Sequence, residues 1–326
     1  MQFYCSEPHQ LLAALDGHAN DPYAVRHVCH ELSRLVLANN KLRLQLIADE
    51  RLLTTLVAAV KQHVDAQSLV LADCCRFLRR TISLRADNQA DMNDSGLLSA
   101  ICERLSSETN IVTELEAQLG VDAISAVIYE NERNAEDAVD THRVLALFSK
   151  LLQRFPHSTR LVQSVTQALF QILTLQPTAQ DEALKQGLIK QVVVFLEGDD
   201  TPDASTSSAL ALWHSFKFLE LIVRQNEDAK GGLSACREVH KPRIEALMLC
   251  GAHEFALDVV KRCSGGHPVL AQAIRLLELL ATIETNRIPL TRLGASRAVK
   301  VVWNSPAVTP RLQILCERAI AAIEGT

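Results

Sequence analysis

Apolar residues recur every three or four positions along almost the whole chain, and no stretch shows the two-residue alternation of a half-buried strand. The spacing predicts helices over 8–15, 22–37, 42–48, 52–63, 65–84, 142–155 and 159–175. It predicts further helices over 210–224, 242–249, 253–263, 268–283, 288–293, 296–303 and 309–323. Asp21-Pro22 reads as an N-cap followed by a first helical residue. The helix over 65–84 places Leu69, Ala72, Cys75, Leu78 and Ile82 on one apolar face. Between Glu108 and Asp140 the pattern blurs, with nine acidic residues and one basic residue, Arg133. That stretch reads as solvated and partly irregular, with an acidic contact for a basic partner as the alternative.

A shorter pattern repeats within the helical one. Asn88, Met92, Gly96, Leu97, Leu98, Ile101 and Leu105 form Asn-x3-apolar-x3-Gly-Leu-Leu-x2-apolar-x3-apolar. Asn286, Leu290, Gly294, Val299 and Trp303 repeat the spacing. Gly187, Leu188, Ile189, Val192 and Leu196 match its second half, as do Leu247, Gly251, Ala256 and Val260. Arg51 takes the glycine slot of an earlier copy, 45 residues before Gly96. Gly96 to Gly187 is 91 residues, so one copy near 140 is masked. Gly187 to Gly251 is 64, which implies an insertion of 17 near 229–243. Gly251 to Gly294 is 43. Periods of about 40–47 with two or three helices mark a stacked-repeat architecture, in which each unit buries its apolar face against its neighbours.

The Asn-x3-apolar-x3-Gly-apolar-apolar signature after a long amphipathic helix resembles the armadillo repeat. HEAT repeats, the near neighbour, usually lack the glycine turn. The resemblance implies an all-α fold: a right-handed α-solenoid of armadillo/HEAT-like repeats. The third helix of each unit would line a concave groove for extended peptides or partner domains. The expected organisation is one continuous solenoid. N-terminal repeats span 1–198, an acidic flexible loop spans 199–208, and C-terminal repeats span 209–326 with the insertion near 229–243. The final helix, with Arg311, Glu317 and Arg318, is expected to cap the core.

Composition narrows the function classes. Apolar residues make up 48% of 326, enough for a continuous core, while aromatics at 4% suit Leu/Ala/Val helix packing. A net charge of −5 argues against nucleic acid as the ligand. No apolar run approaches the length of a membrane span, and the start lacks a signal-peptide pattern, so a cytoplasmic protein is expected, nuclear or ciliary addresses remaining open. Nine scattered cysteines do not form a disulfide framework; Cys74, Cys75, Cys102, Cys250, Cys263 and Cys316 read as small buried hydrophobes with reduced thiols.

The candidate binding residues come from the groove reading. In importin-alpha-type armadillo proteins the third helix carries Trp and, four residues later, Asn, which clamp a basic peptide. The matching positions here read as Arg76 and Arg80 in one unit and Lys217 and Leu221 in another, so the resemblance does not carry that function over. Arg76, Arg79, Arg80 and Lys217 are instead candidate contacts for carboxylates or phosphate. The competing reading is that the arginines lie over the surface or pair with acidic neighbours such as Asp73. Asn88, Asn226 and Asn286 follow third helices and are expected to cap turns.

No catalytic chemistry is expected. Cys250, His253, Cys263 and His267 have zinc-like residue types at a spacing no standard finger uses, and His27 and His30 lack a third ligand. Gly231-Gly232 lacks the lysine of a phosphate loop. No cofactor or metal is expected. The reading is a non-enzymatic scaffold for protein partners, an acidic segment among them, with no nucleic acid and no membrane insertion. The alternatives are a nucleotide-exchange-type regulator of a small GTPase or heat-shock chaperone, and a structural subunit of a cytoskeletal or ciliary assembly.

Overall fold

A computed structural model describes residues 8–39, 41, 46, 50–63, 70–82, 93–94, 96–107, 112–198, 206–223, 233–263 and 268–326. The expectations placed on Asn88, Met92, Asn226, Gly231, Gly232 and His267 fall outside them. Every regular element among the described residues is helical. The chain forms two compact units, Met1–Leu151 and Leu152–Thr326.

The first unit contains α1 (Pro8–Gly17), α2 (Pro22–Ala38), α3 (Glu50–Gln62), α4 (Val70–Ile82), α5 (Leu97–Ser106), α6 (Glu114–Ile128) and α7 (Glu132–Asp140). Most of α8 (Val144–Arg154) follows. The third helices α2, α4 and α6 pack side by side, and α1, α3 and α5 pack along them as second helices. Asp21 caps α2 as expected, its side chain accepting from the Tyr23 N–H at 2.9 Å. Arg51 belongs to α3, which starts at Glu50; it does not stand in the turn before that helix.

The blurred segment contains the most enclosed helix of this unit. From Gly120 to Ile128 every residue of α6 is buried. Thr113 and Glu116 form a capping box at its start, in which each side chain bonds the other's backbone N–H. Glu116 and Asp122 count as acidic in sequence yet lie inside, so the polar reading of 108–140 fails for α6. Glu116 also accepts from Arg104 Nη2 at 3.2 Å, a pair with both side chains 4% exposed. Gly120 lets α5 approach, because a Cβ there would meet Leu105 Cδ1 at 2.7 Å.

The second unit carries α9 (Thr159–Leu175), α10 (Gln180–Lys185), α11 (Leu188–Gly198), α12 (Thr206–Val223), α13 (Leu233–Leu249) and α14 (Ala252–Arg262). It continues with α15 (Pro268–Leu280), α16 (Glu284–Arg292), α17 (Ala295–Trp303) and α18 (Pro310–Glu324). Here α9, α12, α15 and α18 form the row of third helices, and α11, α14 and α17 the row of second helices. α13 begins at Leu233, ahead of the expected Pro242, so most of the expected insertion is helical.

One turn recurs between first and second helices. Gly96, Gly187, Gly251 and Gly294 all have φ between 70° and 83°. The masked copy uses Arg143 at φ 49° instead. Asn134, Ala138, Val144, Leu145 and Phe148 complete that copy, all buried, with one extra residue before the turn. The signature asparagine has a structural task. Asn134 Nδ2 donates to Val127 O at 2.9 Å and Asn286 Nδ2 to Leu280 O at 3.1 Å. Each satisfies a carbonyl at the end of the preceding third helix, which has no partner within that helix.

Candidate functional site

The sequence places the candidate contacts on third helices, and the structure shows how those helices hold charge. In the first unit Asp73 stands in the first turn of α4, where the helix dipole favours a carboxylate. Its Oδ2 accepts from Arg26 Nε of α2 at 3.0 Å, and its Oδ1 accepts from Arg76 Nη1. The Asp73 side chain is 10% exposed while Arg26 and Arg76 are 33% and 30% exposed. Arg76 therefore is paired with Asp73, and the same carboxylate also holds Arg26, an arginine 47 positions away. Arg79 and Arg80 belong to α4, but their side chains lie outside the described residues.

In the second unit Lys217 of α12 sits 3.2 Å from Glu220 Oε2. Arg275 of α15 reaches Glu220 Oε1 through Nε at 2.9 Å. Glu278, three residues after Arg275, takes Arg318 Nη2 of α18 at 2.6 Å. The acids lie below the cations: Glu220 and Glu278 are 6% and 13% exposed, Arg275 and Arg318 are 45% and 67%. Lys217 Nζ also lies 5.8 Å from the centroid of the Trp213 ring. A guanidinium has five N–H donors, and in these contacts Arg26, Arg275 and Arg318 each give one to a carboxylate. Arg275 and Arg318 stay 45% and 67% exposed, so each can also meet an anionic group with its side chain already held in place.

Two features differ from the sequence reading. Leu221 is buried and cannot face a ligand, whereas Trp213 and Lys217, four residues apart, are both half-buried on one helix face. The solvent-reaching pair thus lies one turn earlier than the Lys217–Leu221 positions. Trp213 was legible in principle, as an aromatic residue on the same helical stripe as Lys217. The ring packs edge-on against His214 at 4.9 Å. Burial holds the His214 imidazole below its ordinary pKa, favouring the neutral form.

Other expected positions resolve as follows. Among the acidic residues of 108–140, Glu132, Glu136 and Asp140 are exposed on α7 at four-residue spacing. Cys74, Cys75, Cys102 and Cys316 are buried, but Cys250 and Cys263 are only half-buried. His253 is buried, and desolvation holds its pKa down. Among the described residues no group of three or more His, Cys, Asp or Glu side chains is arranged to hold a metal ion. No described helix is long and apolar enough to cross a membrane.

No family model and no curated protein matches the chain. Solved structures do. A crystal structure described as an engineered protein aligns with a TM-score of 0.65 at 17% identity, covering 84% of this chain and 99% of its own. A second engineered protein aligns at 0.63 and 16% identity, covering 84% and 96%. A computationally designed armadillo repeat protein for modular peptide recognition aligns over 97% of this chain and 99% of its own, at 15% identity and a TM-score of 0.45. The three-helix order, the left-handed turns at Gly96, Arg143, Gly187, Gly251 and Gly294, and the first two likenesses together make this an all-α solenoid of armadillo-like repeats.

Proposed function

We propose that the chain is a non-enzymatic protein-interaction scaffold whose third-helix faces hold an acidic segment of a protein partner. The observation that carries the reading is the layering of charge on those faces. Buried carboxylates at Asp73, Glu220 and Glu278 anchor outward cations, two over Asp73 and three over the two glutamates, so in a chain of net charge −5 these third-helix positions carry a local excess of positive charge. Side chains anchored in this way lose less conformational freedom on binding than free ones. Lys217, Arg275 and Arg76 are the proposed contacts, and Arg79 and Arg80 are kept as candidates from the sequence. The groove that armadillo-type repeats line with third helices is the expected seat of the partner.

Affinity capture from the native cell, compared between the wild-type chain and charge-reversed variants, tests this reading. The variants are Arg76→Glu/Arg80→Glu and Lys217→Glu/Arg275→Glu, each checked for intact helicity. A stoichiometric partner lost from both variants supports the scaffold reading. An unchanged set of co-eluting proteins overturns the assignment of these residues. Recovery of a small GTPase or chaperone whose nucleotide release the chain accelerates would favour the regulator reading, with the exposed α7 acids as its contact. Recovery only in tubulin-rich particles would favour the structural one.

A further inference from the structure

Cys29 of α2 and Cys74 of α4 occupy equivalent depths of neighbouring third helices, 45 positions apart, with their Sγ atoms 3.5 Å from each other. Both side chains are fully buried. Cys75, next in sequence, lies near both Cys29 and the α6 residues Asp122 and Glu116, but the sulfur in contact with Cys29 is that of Cys74. The pair is therefore Cys29 with Cys74. A disulfide has a sulfur separation of about 2.05 Å, so bond formation needs an approach of about 1.5 Å shared between two side chains and two helices.

We propose that Cys29 and Cys74 are an oxidant-dependent disulfide site that staples α2 to α4. The oxidant is a low-molecular-weight disulfide such as glutathione disulfide. One protein thiolate attacks it, forming a mixed disulfide and releasing one glutathione thiolate. The second protein thiolate attacks the protein sulfur of that mixed disulfide, forming the Cys29–Cys74 bond and releasing the second glutathione thiolate. Two protein thiols are oxidised, one small disulfide is reduced, and the two protons pass to the released thiolates.

Access comes through local opening. α2 and α4 must part transiently before an oxidant can reach sulfurs that are fully buried between them. The hydrogen bond with Cys74 and burial push the Cys29 thiol well above its ordinary pKa, so oxidation in the closed state is slow. The site is thus a thiol pair that reports opening of the α2–α4 seam and, once oxidised, prevents it. Arg26 precedes Cys29 by three residues and Asp73 precedes Cys74, so the staple lies within one helical turn of the Arg26–Asp73 bond.

The test is to treat the full chain with glutathione disulfide, and separately with diamide, then map disulfides under non-reducing conditions. The expected product is a peptide pair linking Cys29 to Cys74, lighter by two hydrogens and cleaved by dithiothreitol. Amide exchange in α2 should slow by at least about tenfold in the oxidised form, because seam opening is then blocked. Cys29→Ala and Cys74→Ala should each abolish the linked peptide; the wild-type mapping stands alone if either variant fails to fold. The proposal is overturned if both thiols remain alkylatable when half-buried Cys250 and Cys263 are fully oxidised. It is also overturned if Cys74 links to Cys75, or if the Cys29–Cys74 bond forms with no change in α2 exchange.

Discussion

In the unit ending at Leu151 the buried acid precedes its cation, as Asp73-x2-Arg76, and draws its second arginine from the preceding third helix. In the unit beginning at Leu152 the order is reversed, as Lys217-x2-Glu220 and Arg275-x2-Glu278, and each acid takes its arginine from the following third helix. The reversed order propagates, because α15 offers Arg275 backwards and Glu278 forwards. The first order does not, because Asp73 engages both of its cations. Position within the helix also differs. Asp73 sits in a first turn, where the dipole favours it, whereas Glu220 sits in the last turn of α12, where only its cations do. The turns differ similarly: Gly187, Gly251 and Gly294 serve the second unit, while the first uses Gly96 and Arg143.

The sharpest way to break this comparison lies in the first unit. Arg104→Ala strands the Glu116 carboxylate beneath α5, and a broken buried pair of this kind costs about 3–5 kcal/mol. Urea unfolding followed by circular dichroism reads the loss, and hydrogen exchange assigns it to the first unit. A cost below that of an ordinary surface pair would mean that Thr113 alone satisfies Glu116.

The next effect compares the two acid–cation seams. Glu220→Ala leaves Lys217 and Arg275 facing each other without their anion and costs about 2 kcal/mol. Asp73→Ala is expected to cost about 0.3–1 kcal/mol more than that, because its arginines are no more exposed than Arg275 and it also loses the first-turn dipole stabilisation. Equal midpoint shifts for the two variants would refute the role given to helix position.

The turns give smaller and opposite changes. A Cβ at Gly294 meets no atom within 4 Å, so Gly294→Ala isolates backbone strain at φ 79° and costs about 1–2 kcal/mol. Arg143→Gly relieves the same strain but loosens the unfolded chain, leaving a net gain of about 0.5–1 kcal/mol. Thermal midpoints that move in the same direction for both would break the equivalence of the two turns.

The smallest effect is in acid. Asp137 is held below its ordinary pKa of 3.8 by a hydrogen bond from Thr141, then by Asn93, His142 and Arg133. A depressed carboxylate contributes stability that is complete above the unfolded value and is lost as pH falls through the folded one. Asp137→Asn should therefore lower the stability of the first unit slightly at neutral pH and flatten its acid limb below pH 3.8, where the wild-type contribution is being lost. An unaltered acid limb would show that Asp137 does not contribute to it.

The candidate site was partly legible. Arg76 and Lys217 could be chosen because a charge on an otherwise apolar helical stripe is visible in one dimension. Their anchoring was not: Arg26 and Asp73 lie 47 positions apart, and Glu220 and Arg275 lie 55 apart, distances at which spacing carries no signal. Trp213 was passed over because the turn of α12 that faces outward depends on which side packs against α9 and α15.

Local physics fixed the repeat itself. Helical periodicity, the signature asparagine and the glycine at the turn each act through bonds within a few residues, so the sequence declares them directly. Tertiary packing decided the rest. α6 escaped detection because it is enclosed on all sides and carries Glu116 and Asp122 inside, which erases the one-sided apolar stripe that marks a surface helix. Arg143 could take a glycine's conformation only because the helices on either side of the turn hold it there. Which acids lie beneath which cations, and which thiols meet, follows from third helices packing one period apart, a distance that no local pattern records.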